Sequence, residues 1–282
     1  MDRSRPNLAI DVALVEGLLE HFLREEISSA GFSRAVLGVS GGIDSAVVAA
    51  LAARALGPQN VLGVLMPYRE SNPESEAHGR LLCESIGIPH VRVDISAMAD
   101  GYLSIAPSSD GRGPDRLRKG NVLARSRMIV LYDRAAAERA LVLGTSNKTE
   151  LLLGYTTQFG DNASALNPIG DLYKDQIYQL ARHLGIPRPL LEKAPSADLF
   201  AGQTDEAELG FTYEVADRLL YLLVDERYSE EDLVRAGFER ALVKKIVARI
   251  AGSQFKRVPP IIAKLSHRTV NQDFRYLRDW GR

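Results

Sequence analysis

Cysteine is almost absent from this chain, because Cys83 is the only one among 282 residues. A single cysteine excludes an intramolecular disulfide framework and a cysteine-rich zinc site. It also excludes the paired-cysteine chemistry that many sulfur-transfer enzymes use. Since the residues around Cys83 follow a helical pattern, we expect its thiol to be buried in an apolar environment.

Long apolar stretches are lacking as well. No window of the sequence has the apolar length needed to span a bilayer. Residues 1–7 contain no apolar segment of the kind found in a signal peptide. We therefore expect a cytoplasmic protein that has no membrane partner.

Neither sign of charge is in excess, since the formal net charge is −1. Nothing in the whole composition therefore points to nucleic acid as a partner. Basic residues do concentrate locally, with six against one acid between residues 112 and 127, and seven against two between residues 253 and 282. Each cluster is either a solvated face or the surroundings of an anionic ligand.

A turn of small residues separates an apolar run at residues 35–37 from an alanine-rich stretch at residues 46–53. This order predicts a strand, a tight turn and a helix. Paired glycines allow backbone N–H groups to approach a ligand, and the start of a helix adds unpaired donors. We interpret the turn as a cradle for pyrophosphate, in which Asp44 supplies a carboxylate for a metal, although an ordinary capped turn would have similar residues. It is not a Walker A loop, because the chain has no G-x-x-x-x-G-K-[ST] motif. This glycine loop consists of Gly38, Val39, Ser40, Gly41, Gly42, Ile43, Asp44 and Ser45.

Strand-like and helix-like patterns alternate through the first two thirds of the chain. Short apolar runs occur at residues 35–37, 61–66, 90–95 and 140–144. Helical patterns begin near Leu8 and near Leu123, and residues 206–253 are mostly helical in pattern. Repeated strand–helix–strand units predict an α/β fold with a doubly wound parallel sheet flanked by helices, followed by a helical C-terminal part. Since no linker divides the chain, we expect a single domain over residues 1–282.

A second polar turn follows the fourth apolar run, at residues 145–150. Ligands of open α/β sheets bind at the carboxyl ends of the strands, so this turn and the glycine loop are expected to face one site. Glu150 can then join Asp44 on a metal, although an acid near a helix N-terminus needs no such role. Two breaker-rich segments, residues 106–114 and 198–204, are expected to act as lids that order when substrates bind.

Five further blocks support a more specific interpretation. They are residues 120–128 (GNVLARSRM), 143–150 (LGTSNKTE), 167–174 (NPIGDLYK), 195–199 (PSADL) and 202–210 (GQTDEAELG). Together with the glycine loop, they resemble the ammonia-dependent NAD synthetases of the N-type ATP pyrophosphatase group. The resemblance implies an adenine-nucleotide α-hydrolase-like fold and a two-step ligase. In such enzymes the carboxylate of deamido-NAD attacks the α-phosphate of ATP, pyrophosphate leaves, and ammonia displaces AMP from the acyl-adenylate.

The resemblance also implies roles for particular residues. It places ATP on the glycine loop and on Met66, Thr145, Lys174 and Ser196. It assigns Mg²⁺ to Asp44 and Glu150, and the catalytic roles to Asp44 and Lys174. It assigns contacts with deamido-NAD to Arg125, Gln158 and Lys256. It further implies a homodimer with the dinucleotide bound across its interface, and free ammonia as the nitrogen source. Since we expect no glutaminase domain, a separate glutaminase is a candidate supplier of that ammonia.

The chain departs from the family pattern on the side of the acid substrate. Many relatives carry a lysine where this chain has Gln158, an aspartate at Ala165, and a histidine at Phe255. Loss of a hydrogen bond to a charged group typically weakens recognition by about 1.5–3 kcal/mol. ATP-dependent amidation of another carboxylate is therefore an alternative, and a nucleotide-binding sensor that has lost turnover is a second one.

Overall fold

The computed structural model describes residues 6–106, 115–196 and 205–270. Within these ranges the chain forms one parallel sheet with the strand order β3-β2-β1-β4. Ala35 of β1 is level with Val61 of β2 on one side and with Leu141 of β4 on the other. The direction of strand addition thus reverses at β1, which is where open α/β sheets bind ligands. The strands are β1 (Ala35–Gly38), β2 (Val61–Leu65), β3 (His90–Arg92) and β4 (Leu141–Leu143).

Helices cover both faces of the sheet. The helices up to the fourth strand are α1 (Val12–Ser29), α2 (Ile43–Leu56), α3 (Pro73–Ile86), α4 (Ser96–Leu103) and α5 (Arg116–Glu138). Those after it are α6 (Lys148–Leu153), α7 (Lys174–Leu184), α8 (Arg188–Glu192), α9 (Asp205–Leu209), α10 (Tyr213–Leu220), α11 (Glu230–Arg235) and α12 (Arg240–Gly252). One face of the sheet packs on α1, α2, α3 and α7, and the other packs on α5. A sheet covered on both faces explains why β1 and β2 are apolar at successive positions.

The alanine-rich helix α2 lies at the centre of the main core. Ten of its fourteen residues are buried, and its small side chains let α1 and α7 approach it closely. Cys83 of α3 lies in the same core and is fully buried. Burial raises the pKa of the Cys83 thiol to about 11, so the expectation of a buried apolar thiol is confirmed.

A second core joins α6 to the C-terminal helices. It contains Leu153 of α6, Tyr173 just before α7, and buried residues of α9 to α12. Ile177 of α7 belongs instead to the main core. The predicted helical character of residues 206–253 is confirmed, with a π-helical turn (Tyr221–Asp225) between α10 and α11.

Several element boundaries differ from the predicted ones, and side-chain caps explain two of the differences. The first helix begins at Val12 rather than near Leu8, because the carboxylate of Asp11 accepts the N–H of Leu14. The long helix α5 begins at Arg116 rather than near Leu123, because Asp115 caps it by accepting the N–H of Arg118.

Each of the last three strands is shorter than its apolar run. The strand β3 ends at residue 92 instead of 95, because the chain turns there into α4. The strands β2 and β4 stop at residues 65 and 143. In the described part of the chain, no helix combines the length and the apolar character that a membrane crossing requires. Both segments expected to act as lids lie almost entirely outside the described residues.

Candidate functional site

A cavity of about 1070 Å³ opens at the carboxyl ends of β1, β2 and β4. Its walls include the glycine loop apart from Gly41, the first half of α5, residues 154–163 apart from Phe159 and Asn162, and the turn at residues 255–256. The residues Met66, Thr145, Lys174 and Ser196, which were assigned to ATP, line it as well. So do Arg125, Gln158 and Lys256, which were assigned to the acid substrate. The fold therefore brings together residues that were predicted to share a site from separate stretches of sequence.

The glycine loop is held in shape by its own serines. The hydroxyl of Ser45 donates to the carbonyl of Gly42 at 3.0 Å and accepts the N–H of Ser40 at 3.2 Å. The N–H of Gly42 donates to the hydroxyl of Ser40. Gly41 has φ +71°, and a Cβ there would lie 2.1 Å from the carbonyl oxygen of Ser75. Glycine is thus required at this position by both conformation and space.

Two carboxylates and one ammonium meet beside this loop. Lys174 Nζ lies 2.5 Å from Asp44 Oδ2 and 3.4 Å from Glu150 Oε1. The Lys174 side chain is only 3% exposed. Burial by itself lowers the pKa of Lys174, but the two carboxylates outweigh it and raise that pKa above its usual value. Burial and the neighbouring Asp44 raise the pKa of Glu150 to about 8, although Lys174 opposes them.

Asn147 joins the two acidic loops, and sequence reasoning gave it no role. Its side-chain amide donates to Asp44 Oδ1 at 2.8 Å, and its side-chain oxygen accepts the N–H of Glu150 at 3.0 Å. The Glu150 carboxylate in turn accepts the N–H of Asn147, which completes a capping box at the start of α6. In the sequence, the spacing Asn-x-x-Glu at the start of a helix is typical of a capping box and could have indicated this role of Asn147. Because Asn147 is fully buried, it fixes the two carboxylates relative to each other.

A second lysine was also missed. Lys193 Nζ donates to Ser75 Oγ at 2.8 Å and to the carbonyl of Gly41 at 3.5 Å. It therefore places a cation at the edge of the glycine loop, in the wall of the cavity. Its position follows α8, and no local pattern distinguishes it from a surface lysine.

A layer of hydrogen-bonded polar residues lies beside the backbone of Lys174, whose ammonium contacts Asp44 and Glu150. The carboxylate of Asp217 accepts the hydroxyl of Thr149 at 2.5 Å and the N–H of Asp175 at 2.8 Å. The Thr149 hydroxyl accepts the N–H of Lys174 at 3.1 Å. Burial raises the pKa of Asp217 to about 6, although its hydrogen bonds oppose the shift. This layer sets the first turn of α7 and therefore the direction of the Lys174 side chain.

Two of the residues assigned to the acid substrate contact each other, and the third is fixed to the same loop. The guanidinium of Arg125 donates from Nε and Nη2 to the carbonyl of Gln158, at 3.3 and 3.2 Å. Lys256 Nζ donates to the carbonyls of Gly154 and Thr156, at 2.8 and 2.6 Å. The ammonium of Lys256 thus fastens the C-terminal turn to the loop after α6. Ala165 lies beside β4, where its N–H donates to Val142.

The candidate metal ligands are the two carboxylates already described, Asp44 and Glu150. Within residues 6–106, 115–196 and 205–270, no group of three or more histidine, cysteine or carboxylate side chains is arranged to hold an ion by itself. Magnesium is commonly bound by one or two carboxylates, with water and substrate phosphates completing its shell. The oxygens of Asp44 and Glu150 fit that arrangement, since both border the cavity.

Comparison with known proteins gives a consistent result. The family model for NAD synthase matches residues 15–260. An NH(3)-dependent NAD(+) synthetase of Trichlorobacter lovleyi is 55% identical over 275 residues, which cover 98% of this chain and 99% of that protein. The NMN synthetase structure of Francisella tularensis has a TM-score of 0.78 at 30% identity and covers 90% of this chain and 99% of its own. The NH3-dependent NAD synthetase structure of Campylobacter jejuni has a TM-score of 0.77 at 33% identity and covers 91% and 100%. The length of these matches and the placement of the glycine loop, Asp44 and Lys174 at one sheet edge lead to one conclusion: this chain belongs to the NAD synthase family.

Proposed function

We propose that this chain amidates deamido-NAD to NAD with ammonia, at the expense of ATP, and releases AMP and pyrophosphate. One observation carries the proposal: the convergence of Asp44, Glu150 and Lys174 beside the glycine loop. A site that only binds a nucleotide does not need two carboxylates and a buried lysine at the phosphates. The relatives named as NH(3)-dependent NAD(+) synthetases support the same reaction.

The nucleotide half of the site suits a departing pyrophosphate. The backbone N–H groups at the start of α2 point their positive dipole end toward the cavity. Lys174 adds a fixed positive charge. In many enzymes, fixed donors and charges that meet developing negative charge contribute more to the rate than any other effect. We assign ATP contacts to the glycine loop, Met66, Thr145, Lys174 and Ser196.

Magnesium is part of the proposal through Asp44 and Glu150, whose oxygens are hard ligands that this ion accepts. When bound, the ion supplies charge neutralisation at the phosphates of ATP. The chain's own contribution is to hold the two carboxylates together through Asn147 and Lys174.

The acid half of the site is the region of Arg125, Gln158 and Lys256. Ligand pockets commonly enclose about 300–1,000 Å³, and this cavity, at about 1070 Å³, is slightly larger than that range. We propose that it holds the acid substrate beside ATP. The carboxylate of the acid attacks the α-phosphorus of ATP, the bond to the bridging oxygen breaks, and pyrophosphate leaves with those electrons. Ammonia then attacks the acyl carbon, AMP leaves with its oxygen, and the nitrogen loses a proton. No covalent enzyme intermediate is needed.

We further propose that the chain acts as a homodimer of single-domain subunits. The helix α5 carries an exposed stripe that runs from Arg125 through Ile129 and Tyr132, which are spaced four and three residues apart. Ile129 and Tyr132 are 54% and 42% exposed. Because the stripe ends at Arg125 in the cavity wall, a second copy seated on it would border the acid site. Light scattering is expected to give the mass of a dimer, and Ile129→Glu is expected to give that of a monomer.

The reaction is tested by incubating the protein with ATP, Mg²⁺, ammonium and deamido-NAD, and by measuring NAD, AMP and pyrophosphate. We expect equal amounts of the three products, none of which forms without deamido-NAD. Glutamine in place of ammonium is expected to give little NAD. AMP formation that does not depend on deamido-NAD would overturn the substrate assignment.

A second candidate substrate is the corresponding acid mononucleotide. The NMN synthetase of Francisella tularensis is among the similar structures, and the changes at Gln158, Ala165 and Phe255 fall on the acid side. A parallel assay that replaces deamido-NAD by the mononucleotide and by simple aromatic carboxylates separates the candidates through their kcat/KM values. Absence of pyrophosphate release with every acid would favour the nucleotide-binding sensor.

A further inference from the structure

The turn at residues 254–256 places an aromatic ring in the wall of the cavity. Phe255 lines the cavity and is 54% exposed. A large apolar side chain gains nothing from that exposure in the free protein. Half-exposed aromatic rings in a cavity are the usual surfaces on which flat ligand rings stack.

The backbone that carries Phe255 is fixed on both sides by neighbouring side chains. The amide of Gln158 donates to the carbonyl of Phe255 at 3.3 Å. The amide of Asn162 donates to the carbonyl of Lys256 at 3.2 Å, while its oxygen accepts the N–H of Phe159 at 2.8 Å. The ammonium of Lys256 donates to two further carbonyls of the same loop. These bonds fix the backbone of Phe255 relative to the loop after α6.

The same contacts link the turn that carries Phe255 to a cation in the cavity wall. The carbonyl of Gln158 accepts two hydrogen bonds from the guanidinium of Arg125. One residue, Gln158, therefore joins the turn of Phe255 through its side chain and Arg125 through its backbone. An aromatic surface and a guanidinium in the wall of one cavity suit a nucleotide, whose base or pyridine ring stacks while its phosphate pairs with the cation.

We infer that Phe255 is a specificity-determining residue of this chain that stacks on a planar ring of the acid substrate, and that Gln158 and Asn162 are positioning residues for it. The inference rests on the proposed function for the identity of the acid. It gives the departures at Gln158 and Phe255 one joint role, in which an aromatic surface held by an uncharged amide replaces charged contacts.

Calorimetric titration of the full-length protein with deamido-NAD tests the inference without requiring turnover. Phe255→Ala is expected to weaken binding of deamido-NAD about tenfold, since stacking of one base on an aromatic ring contributes roughly 1–3 kcal/mol. Phe255→Trp is expected to retain the affinity. The affinity for ATP is expected to change less than about twofold, because the ATP residues lie elsewhere in the cavity.

Phe159→Ala is the matched control. Phe159 is 55% exposed and lies in the same loop, but within the described residues its side chain is not part of the cavity wall. Its loss is expected to leave the binding of deamido-NAD unchanged. Equal affinities for the wild type and Phe255→Ala would overturn the inference, and so would full retention of affinity in Phe255→Leu, which has an apolar but not an aromatic side chain.

The positioning role has its own test. If Gln158 acts through Phe255, the double variant Gln158→Ala/Phe255→Ala binds deamido-NAD no more weakly than Phe255→Ala alone. Additive losses would show that Gln158 acts independently and would overturn this part. A wild type that binds deamido-NAD but forms no NAD would refute the proposed reaction, while the Phe255 comparison would still be decided by the titrations.

Discussion

The ammonium of Lys174 lies 2.5 Å from the carboxylate of Asp44, although 130 positions separate the two residues in the chain. Lys174 is the first residue of α7, and Asp44 is the second residue of α2. Their contact joins the helix after the glycine loop to a helix beyond the fourth strand. Each charge is partly buried and is compensated by the other, so loss of either one leaves the remaining charge without its partner.

We predict that Lys174→Met abolishes most of the activity. The substitution keeps most of the length of the side chain but removes the charge that, in the proposed reaction, faces the departing pyrophosphate. A kcat decrease of at least about 100-fold is expected, which is the usual effect of deleting one transition-state donor. Steady-state NAD formation measures it, with circular dichroism to confirm folding. Glu192→Gln, which removes one partner of an exposed pair with Arg188, serves as the control and should retain full activity.

Gly41→Ala is expected to disrupt the glycine loop. The left-handed backbone at this position disfavours any side chain, and a Cβ would collide with the carbonyl oxygen of Ser75. We expect the affinity for ATP to fall at least about tenfold and the melting temperature to decrease. Titration with ATP and thermal unfolding measure the two effects.

Gly17→Ala is the control for that substitution. Gly17 lies inside α1, and a Cβ there meets nothing within 4 Å. Alanine should therefore stabilise the protein by roughly 0.5–1 kcal/mol. If Gly41→Ala behaves like Gly17→Ala, the close approach of the loop to α3 has no energetic importance.

Lys193→Ala is expected to raise the KM for ATP by about tenfold, because a hydrogen bond to a charged group typically contributes about 1.5–3 kcal/mol. The substitution removes the cation that contacts Ser75 and the carbonyl of Gly41. The KM for deamido-NAD should stay within about twofold of the wild type. Lys244→Ala, on the exposed side of α12, is the matched control. An unchanged KM for ATP would mean that Lys193 only supports the loop structurally.

Asp217 gives the stability of the fold a specific pH dependence. Its pKa is about 6 in the folded state against 3.8 ordinarily, so the folded protein binds the proton more tightly. The stabilisation of the folded state by the proton on Asp217 is therefore complete below about pH 4, and it is lost as the pH rises through about 6. The loss is about 3 kcal/mol, at about 1.36 kcal/mol per pKa unit.

The measurement is urea unfolding of the wild type and of Asp217→Asn between about pH 4 and pH 7. Relative to the wild type, we expect the free energy of unfolding of Asp217→Asn to increase by about 3 kcal/mol between about pH 4 and pH 7. Asp232→Asn should show no such change there, because hydrogen bonds from Ser229 and Arg235 lower the pKa of Asp232 to about 2. A constant difference between the wild type and Asp217→Asn would contradict the assignment.

Sequence reasoning succeeded where a local pattern determines the outcome. Alternating strands and helices predicted the parallel sheet, and the rule that ligands bind at strand carboxyl ends predicted that Asp44 and Glu150 face one site. Both statements depend only on element type and order. The resemblance to a known family added Lys174, which structural pattern alone did not select.

Other features depend on how distant segments pack, and these could not be predicted. Asn147 holds the carboxylates together only because two loops meet, and Lys193 contacts the glycine loop only because α8 ends beside α3. The charges of the C-terminal turn were expected either to be solvated or to attract an anion. Lys256 and Arg257 instead donate to backbone carbonyls at the ends of α6 and α12. Whether Lys256 also contacts the substrate stays a prediction.

The start of α7 lies where the two cores meet. Tyr173, the residue just before α7, packs among the C-terminal helices, and Ile177 of α7 packs in the main core against the sheet. Lys174 lies at the boundary between the two cores, so the position of its ammonium depends on how the C-terminal helices pack against the sheet. A small rotation of those helices would move Nζ away from Asp44 on α2. The contact between Lys174 and Asp44 therefore reports on that packing, because it forms only while the two cores keep this relative position.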